Sequence, residues 1–141
     1  PHIDVCLDTR YTKEELKMVW DTRKRLGDNE ILVNPTAVRA PVFYGHSEAI
    51  HIETRDTIPA RQVADLLRDA PGVQVLDGIE TGHYPTAVTE SSGADPVFVG
   101  RIREDISHPR GIDLWVVADN IRKGAALNSV QIAEKLAKNY L

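Results

Sequence analysis

The chain has a single cysteine among 141 residues, which excludes an internal disulfide and any multi-cysteine zinc centre and fits a reducing compartment. No apolar run approaches the roughly 20 residues needed to span a bilayer, so no membrane segment is expected. There is no G-x-G-x-x-G after an expected strand and no G-x-x-x-x-G-K-S/T, so a self-contained nucleotide cradle is missing. H-E-x-x-H is missing too, and the five histidines (His2, His46, His51, His83 and His108) lack metal-ligand spacing with carboxylates. His46 and His51 are five apart, on opposite faces of a regular strand. No metal site is expected. A dominant charge is also absent: 17 basic and 21 acidic residues leave a net charge of -4, which gives no general attraction to nucleic acid or anionic lipid.

What is present suits one globular domain. Hydrophobic residues make up 42% and charged residues 27%, which argues against a disordered chain. At this length about 68–70% of the unfolded surface can be buried. The first ten residues, PHIDVCLDTR, do not read as a signal or transit peptide. With no initiator Met and a strand expected over His2–Leu7, the chain reads as a mature product or a piece of a longer one.

Thr12 and Glu15 have capping-box spacing and open a helix whose apolar face is Leu16, Val19 and Trp20; Gly27 stops it. Ile31–Tyr44 is rich in β-branched and aromatic residues, but Pro35 and Pro41 place it at a sheet edge or divide it. A strand is expected at Glu48–Thr54, and a helix at Pro59–Ala70 with Val63, Leu66, Leu67 and Ala70 as its stripe. Val73–Leu76 is a short strand. Asp77–Asp95 is a turn-rich excursion with a brief strand near Thr86–Val88. Val97–Arg103 and Asp113–Ala118 are the last strands, the latter apolar enough to lie centrally with both faces covered. Gly124–Tyr140 closes the chain as a helix with a broad apolar side. Strands joined by short connections predict an α+β layer: a mixed, largely antiparallel sheet with helices on one face.

Several polar residues can carry chemistry, each with a plainer alternative. Glu14 and Lys17 share a helix face; they form an exposed ion pair, or hold a ligand carrying ammonium and phosphate groups. Arg39 lies among small and branched residues, where its fork either grips a carboxylate or reaches to water. His46, between Gly45 and Ser47, either projects into a cleft with a pKa suited to acid/base work or caps a turn. Arg39 and His46 are seven apart, so strict alternation separates them unless the strand breaks or bulges at Pro41 or Gly45. Cys6 reads as a buried or partly buried inert thiol. Asn120, between the last strand and last helix, caps that helix or presents its amide to a ligand.

The run Val38-Arg39-Ala40-Pro41-Val42-Phe43-Tyr44-Gly45-His46-Ser47-Glu48-Ala49 resembles the segment of aspartate-semialdehyde dehydrogenases that holds the substrate arginine and the acid/base histidine. Asn34-Pro35-Thr36-Ala37 and Thr12-Lys13-Glu14-Glu15-Leu16-Lys17 fit the same family, as do Gly100-Arg101-Ile102-Arg103-Glu104-Asp105 and Asp119-Asn120-Ile121-Arg122-Lys123-Gly124-Ala125-Ala126. The resemblance covers the C-terminal part of such enzymes, without the Gly-rich dinucleotide domain or the nucleophilic cysteine, a role the context of Cys6 does not fit.

It implies NADPH-dependent reductive dephosphorylation of L-4-aspartyl phosphate to L-aspartate 4-semialdehyde, in lysine, threonine, methionine and diaminopimelate biosynthesis. By position it makes His46 the acid/base, Arg39 the α-carboxylate ligand, Glu14 the α-ammonium ligand, Lys17 the phosphate ligand and Asn120 a polar contact to NADP. It further implies a cytoplasmic homo-oligomer, a dimer, with no nucleic-acid or membrane partner. Residues 1–118 would form most of the substrate-binding and dimerisation domain, and 119–141 a helix packing on the NADP domain. This piece alone is expected to be inactive. The rival expectation is a stand-alone binding or assembly module of the same fold.

Overall fold

The computed structural model describes residues 2–140. They fall into two compact units that meet in sequence between Pro41 and Val42.

The first unit is built around α1 (Lys13–Leu26). Thr12 and Glu15 form the expected capping box, and Gly27, at φ 66, ends the helix with its N–H on the Arg23 carbonyl. The remaining chain is irregular. His2–Leu7 is not a strand: Asp4 and Arg10 take positive φ, and the segment contributes only single bridges, His2 to Val38 and Cys6 to Thr12. Positive φ is costly for residues with a side chain and breaks the repeating geometry a ladder requires. Cys6 is consequently exposed, not buried or partly buried as its apolar neighbours suggested. Ile31–Tyr44 likewise forms no strand; its two prolines remove ladder donors and only Val38 pairs.

The second unit carries the sheet: β1 (His46–Glu53), β2 (Val73–Val75), β3 (Val97–Glu104) and β4 (Gly111–Ala118), in spatial order β1-β4-β3-β2. β4 pairs antiparallel with β1 and β3, while β2 joins β3 in parallel, so the sheet is mixed and largely antiparallel as expected. The parallel pair needs a crossover between its strands, which residues 76–96 supply; α2 (Ala60–Arg68) precedes β2 and packs on β2 and β3. Ala64 of α2 packs with Val99, Ile102, Ile112 and Leu114 to form the buried core, flanked by Ile50, Val63 and Leu67. β4 is central: Ile112 and Leu114 on one face join the core with Ala64 of α2, while on the other Val117 is fully buried and Asp113 and Trp115 are half-buried, Trp115 donating to the Pro85 carbonyl.

The long excursion holds no strand at Thr86–Val88. Thr86 instead caps a single π-helical turn, Ala87–Ser91, by accepting from Thr89 N–H, a local bond that competes with sheet pairing. After β4 the chain makes a second π-helical turn, Arg122–Ala126, before α3 (Leu127–Tyr140). No residue of α3 is buried: Val130, Ile132 and Leu136 are about half exposed. No helix of the described residues is long and apolar enough to cross a membrane.

Candidate active site

The five expected site residues divide between the units. Glu14, Lys17 and Arg39 belong to the first, His46 and Asn120 to the second.

In the first unit the helical repeat brings Glu14 Oε1 to 3.5 Å from Lys17 Nζ. The pair is solvated, with side chains 36% and 58% exposed. Both groups are therefore accessible, a carboxylate acceptor and an ammonium donor side by side. Arg39 is exposed one residue after the Val38 bridge. Glu15 contributes more than its capping role foretold. One carboxylate oxygen accepts from Thr12 N–H at 2.8 Å, and the other accepts from Ala37 N–H at 2.9 Å. That second bond ties the chain two residues before Arg39 to the helix that carries Glu14 and Lys17. The Thr12 N–H, then the Ala37 N–H, hold the buried Glu15 carboxyl below the ordinary carboxylate range. The spacing Thr12-x-x-Glu15 signals the first bond; nothing local signals the second, which spans 22 residues.

In the second unit His46 opens β1 opposite Ala118, the last residue of β4, and is exposed. Residues 39–45 form no regular strand, so the alternation that set Arg39 and His46 on opposite faces does not operate between them. Gly45, at φ 90, is where the chain turns into β1; a Cβ there would lie 3.0 Å from Ala87 Cβ and 3.4 Å from the Ala118 carbonyl oxygen.

Asn120 follows β4 by two residues, and its Oδ1 accepts from Gly45 N–H at 3.0 Å. The capping expected of Asn120 is done instead by Asp119. That buried carboxylate accepts from Ile121 N–H at 2.9 Å, Arg122 N–H at 3.1 Å and Gly93 N–H at 2.8 Å. Gly93 N–H, then Arg122 N–H, draw the Asp119 carboxyl below its usual range. The swap has a geometric cause: the side chain of Asp119 faces the turn it opens, while Asn120 faces back to β1.

Two shallow grooves lie elsewhere on this sheet. One, of about 190 Å³, is lined by His51, Arg101, Arg103, Asp113 and Trp115 among others; a second, of about 340 Å³, by Tyr84, Thr86, Arg101 and Trp115. Neither includes His46 or Asn120. Among the described residues no group of three or more His, Cys, Asp or Glu side chains is placed to hold a metal ion.

Comparison with known proteins sets these positions in context. The sequence model of a family described as semialdehyde dehydrogenase, dimerisation domain, matches residues 1–123. The chain is 64% identical to the aspartate-semialdehyde dehydrogenase of Shewanella violacea over 99% of its own length and 41% of that protein. It is 59% identical to the one from Legionella pneumophila, over 100% and 41%. The crystal structure of aspartate semialdehyde dehydrogenase II complexed with ASA from Vibrio cholerae superposes with a TM-score of 0.94 at 56% identity, covering 100% of this chain and 41% of that one. A probable aspartate-semialdehyde dehydrogenase from Pseudomonas aeruginosa gives 0.90 at 31% identity, over 99% and 41%. The chain spans about 41% of the length of the curated relatives it matches.

Proposed function

Because the chain belongs to the semialdehyde dehydrogenase family, through its dimerisation domain, we propose that it holds the substrate and moves the proton in an aspartate-semialdehyde dehydrogenase. The reaction is the NADPH-dependent reductive dephosphorylation of L-4-aspartyl phosphate to L-aspartate 4-semialdehyde, on the route to lysine, threonine, methionine and diaminopimelate. The observation that carries this reading is the position of His46. It is an exposed imidazole at the first residue of a sheet strand, on a backbone pinned from β4 and from the Ala87–Ser91 turn. A group that must give and take protons without wandering needs such a scaffold.

The other roles follow from charge and shape. Arg39 offers a fork for the α-carboxylate. Glu14 accepts from the α-ammonium group, and Lys17, 3.5 Å away, meets the phosphate. The substrate carries those three charges. His46 would take the proton of an attacking thiol as phosphate departs from the acyl carbon, and after reduction would return it to the sulfur as the C–S bond breaks and the aldehyde is released. Cys6, on an irregular segment of the first unit, is not assigned as that thiol.

The donor set after β4 fits a nicotinamide cofactor: Asn120 commits its oxygen to Gly45, leaving its amide N–H groups for a carbonyl. When bound, the cofactor supplies hydride. Residues 119–141 would contact the cofactor domain through α3, whose apolar residues stand exposed. The chain alone would then be inactive. The working assembly is a cytoplasmic homo-oligomer, a dimer.

The test is His46→Ala in the full-length enzyme. Turnover should fall by about 10²–10⁴ with thermal stability and sedimentation as a dimer unchanged. A parental rate would leave the rival reading, a non-catalytic binding or assembly module, and a monomer at working concentration would remove the oligomer from the scheme.

A further inference from the structure

Gly45 and Asn120 join the His46 turn to the end of β4 in a way that assigns Asn120 a second task. A backbone N–H only donates, so the amide atom 3.0 Å from Gly45 N is fixed as Oδ1. Gly45, at φ 90, stands where a side chain has no room: a Cβ there would lie 3.0 Å from Ala87 Cβ, 3.3 Å from Ser91 Oγ and 3.4 Å from the Ala118 carbonyl. Ser91 is fully buried and donates to the Ala87 carbonyl at 3.1 Å, so that wall is rigid. Asn120 is presented from an equally fixed place. The neighbouring Asp119 gathers three backbone N–H groups, from Gly93, Ile121 and Arg122, tying the turn after β4 to the end of the excursion. The entry into β1 is thus held by the ladder of His46 with Ala118, by the narrow space beside Gly45, and by the Gly45 N–H donating to Asn120 Oδ1.

We propose that Asn120 is a positioning residue for His46: its Oδ1 holds the Tyr44–Gly45 peptide, one unit before His46, and with it the turn that sets the direction in which the imidazole leaves the strand. The inference rests on the acid/base reading of His46. It deepens that reading by giving one amide two faces, an oxygen that sets the proton-transferring group and two N–H bonds that remain for a ligand carbonyl. A ligand that engages the N–H face also stiffens the His46 turn.

The experiment uses the full-length enzyme with Asn120→Ala, Asn120→Asp and His46→Ala, reading kcat and KM across pH and the imidazole signal of isotope-labelled His46 by NMR. Asn120→Ala should lower kcat by about 10²-fold, leave the KM for the acyl phosphate little changed, and broaden or split the His46 signal. Asn120→Asp keeps an acceptor oxygen at the same reach and loses the amide donors. It should restore most of kcat and a single His46 signal while raising the KM for the cofactor. If Asn120→Ala fails to fold, Asn120→Ser, too short to reach Gly45 N–H, takes its place with the same expected loss. Equal loss of kcat in the Ala and Asp enzymes overturns the proposal, because the amide then acts only through its N–H groups. Parental kcat in Asn120→Ala also overturns it, and it alone. Parental kcat in His46→Ala overturns the acid/base reading and this proposal together.

Discussion

Among the described residues of the unit that ends at Pro41 those buried are Thr12 and Glu15; in the unit that begins at Val42 they include Ala64, Val99, Ile102, Ile112 and Leu114. The first is held by hydrogen bonds that converge on a carboxylate, with Arg23 Nε donating to the Ile31 carbonyl and Tyr11 Oη to Asn34 Oδ1 around it. The second is held by apolar area closed between α2 and one sheet face. A polar centre depends on geometry and pH, while an apolar one depends on volume. The expected substrate ligands sit in the first and the expected proton shuttle in the second. Under the proposed function, charge recognition falls where charges already organise the chain, and the group that must keep its direction falls on a packed sheet.

Mutations of apolar residues should show the contrast at its largest. Leu114→Ala opens a cavity in the second unit and should cost about 2–5 kcal/mol, whereas Leu32→Ala, at a residue 92% exposed in the first, should stay within about 0.5 kcal/mol. Urea unfolding measures both, and comparable losses would erase the distinction.

Acid should discriminate next. The folded pKa of Glu15 lies below its unfolded value, so the Glu15 contribution is complete above roughly pH 4.3 and is lost as pH falls through the folded value. Ala37 N–H, which Glu15 holds, should lose hydrogen-exchange protection in that window before the β4 amides paired with β1 do. The lowered carboxyls of Asp105 and Asp119 in the second unit cap turns outside its apolar core, so acid should loosen those turns first. Simultaneous loss at Ala37 and in β4 would mean that one cooperative unit spans both regions.

A small effect on stability is also expected at Lys17→Ala. Its solvated pair with Glu14 should change stability by less than about 1 kcal/mol, although KM for the phosphorylated substrate rises. A large drop in melting temperature would give the pair a structural role.

The same contrast explains what could be read from residue order. α1 with its capping box and Gly27, α2 beginning after Pro59, the apolar β4 and the mixed sheet all follow from periodicity and caps, which are local signals reinforced by burial. His2–Leu7, Ile31–Tyr44 and Thr86–Val88 look like strands by composition, yet positive φ at Asp4, prolines at 35 and 41, and the Thr86 hydroxyl divert them. In the candidate site, residue types and the Glu14–Lys17 spacing were legible. The bonds Glu15–Ala37 and Asn120–Gly45 were not, because they join residues 22 and 75 apart and leave no periodic trace.

The order β1-β4-β3-β2 also dictates when this protein can finish folding. β1 is made first, but its ladder partner ends at Ala118, paired with His46. During synthesis, at about 5–20 residues per second, β1 must wait several seconds with its edge open while the rest of the sheet emerges from the ribosome. Over that interval the nascent chain is a target for chaperones and a hazard for edge-to-edge association; the arrival of β4 covers one edge of β1 and leaves the other as the outer edge of the sheet.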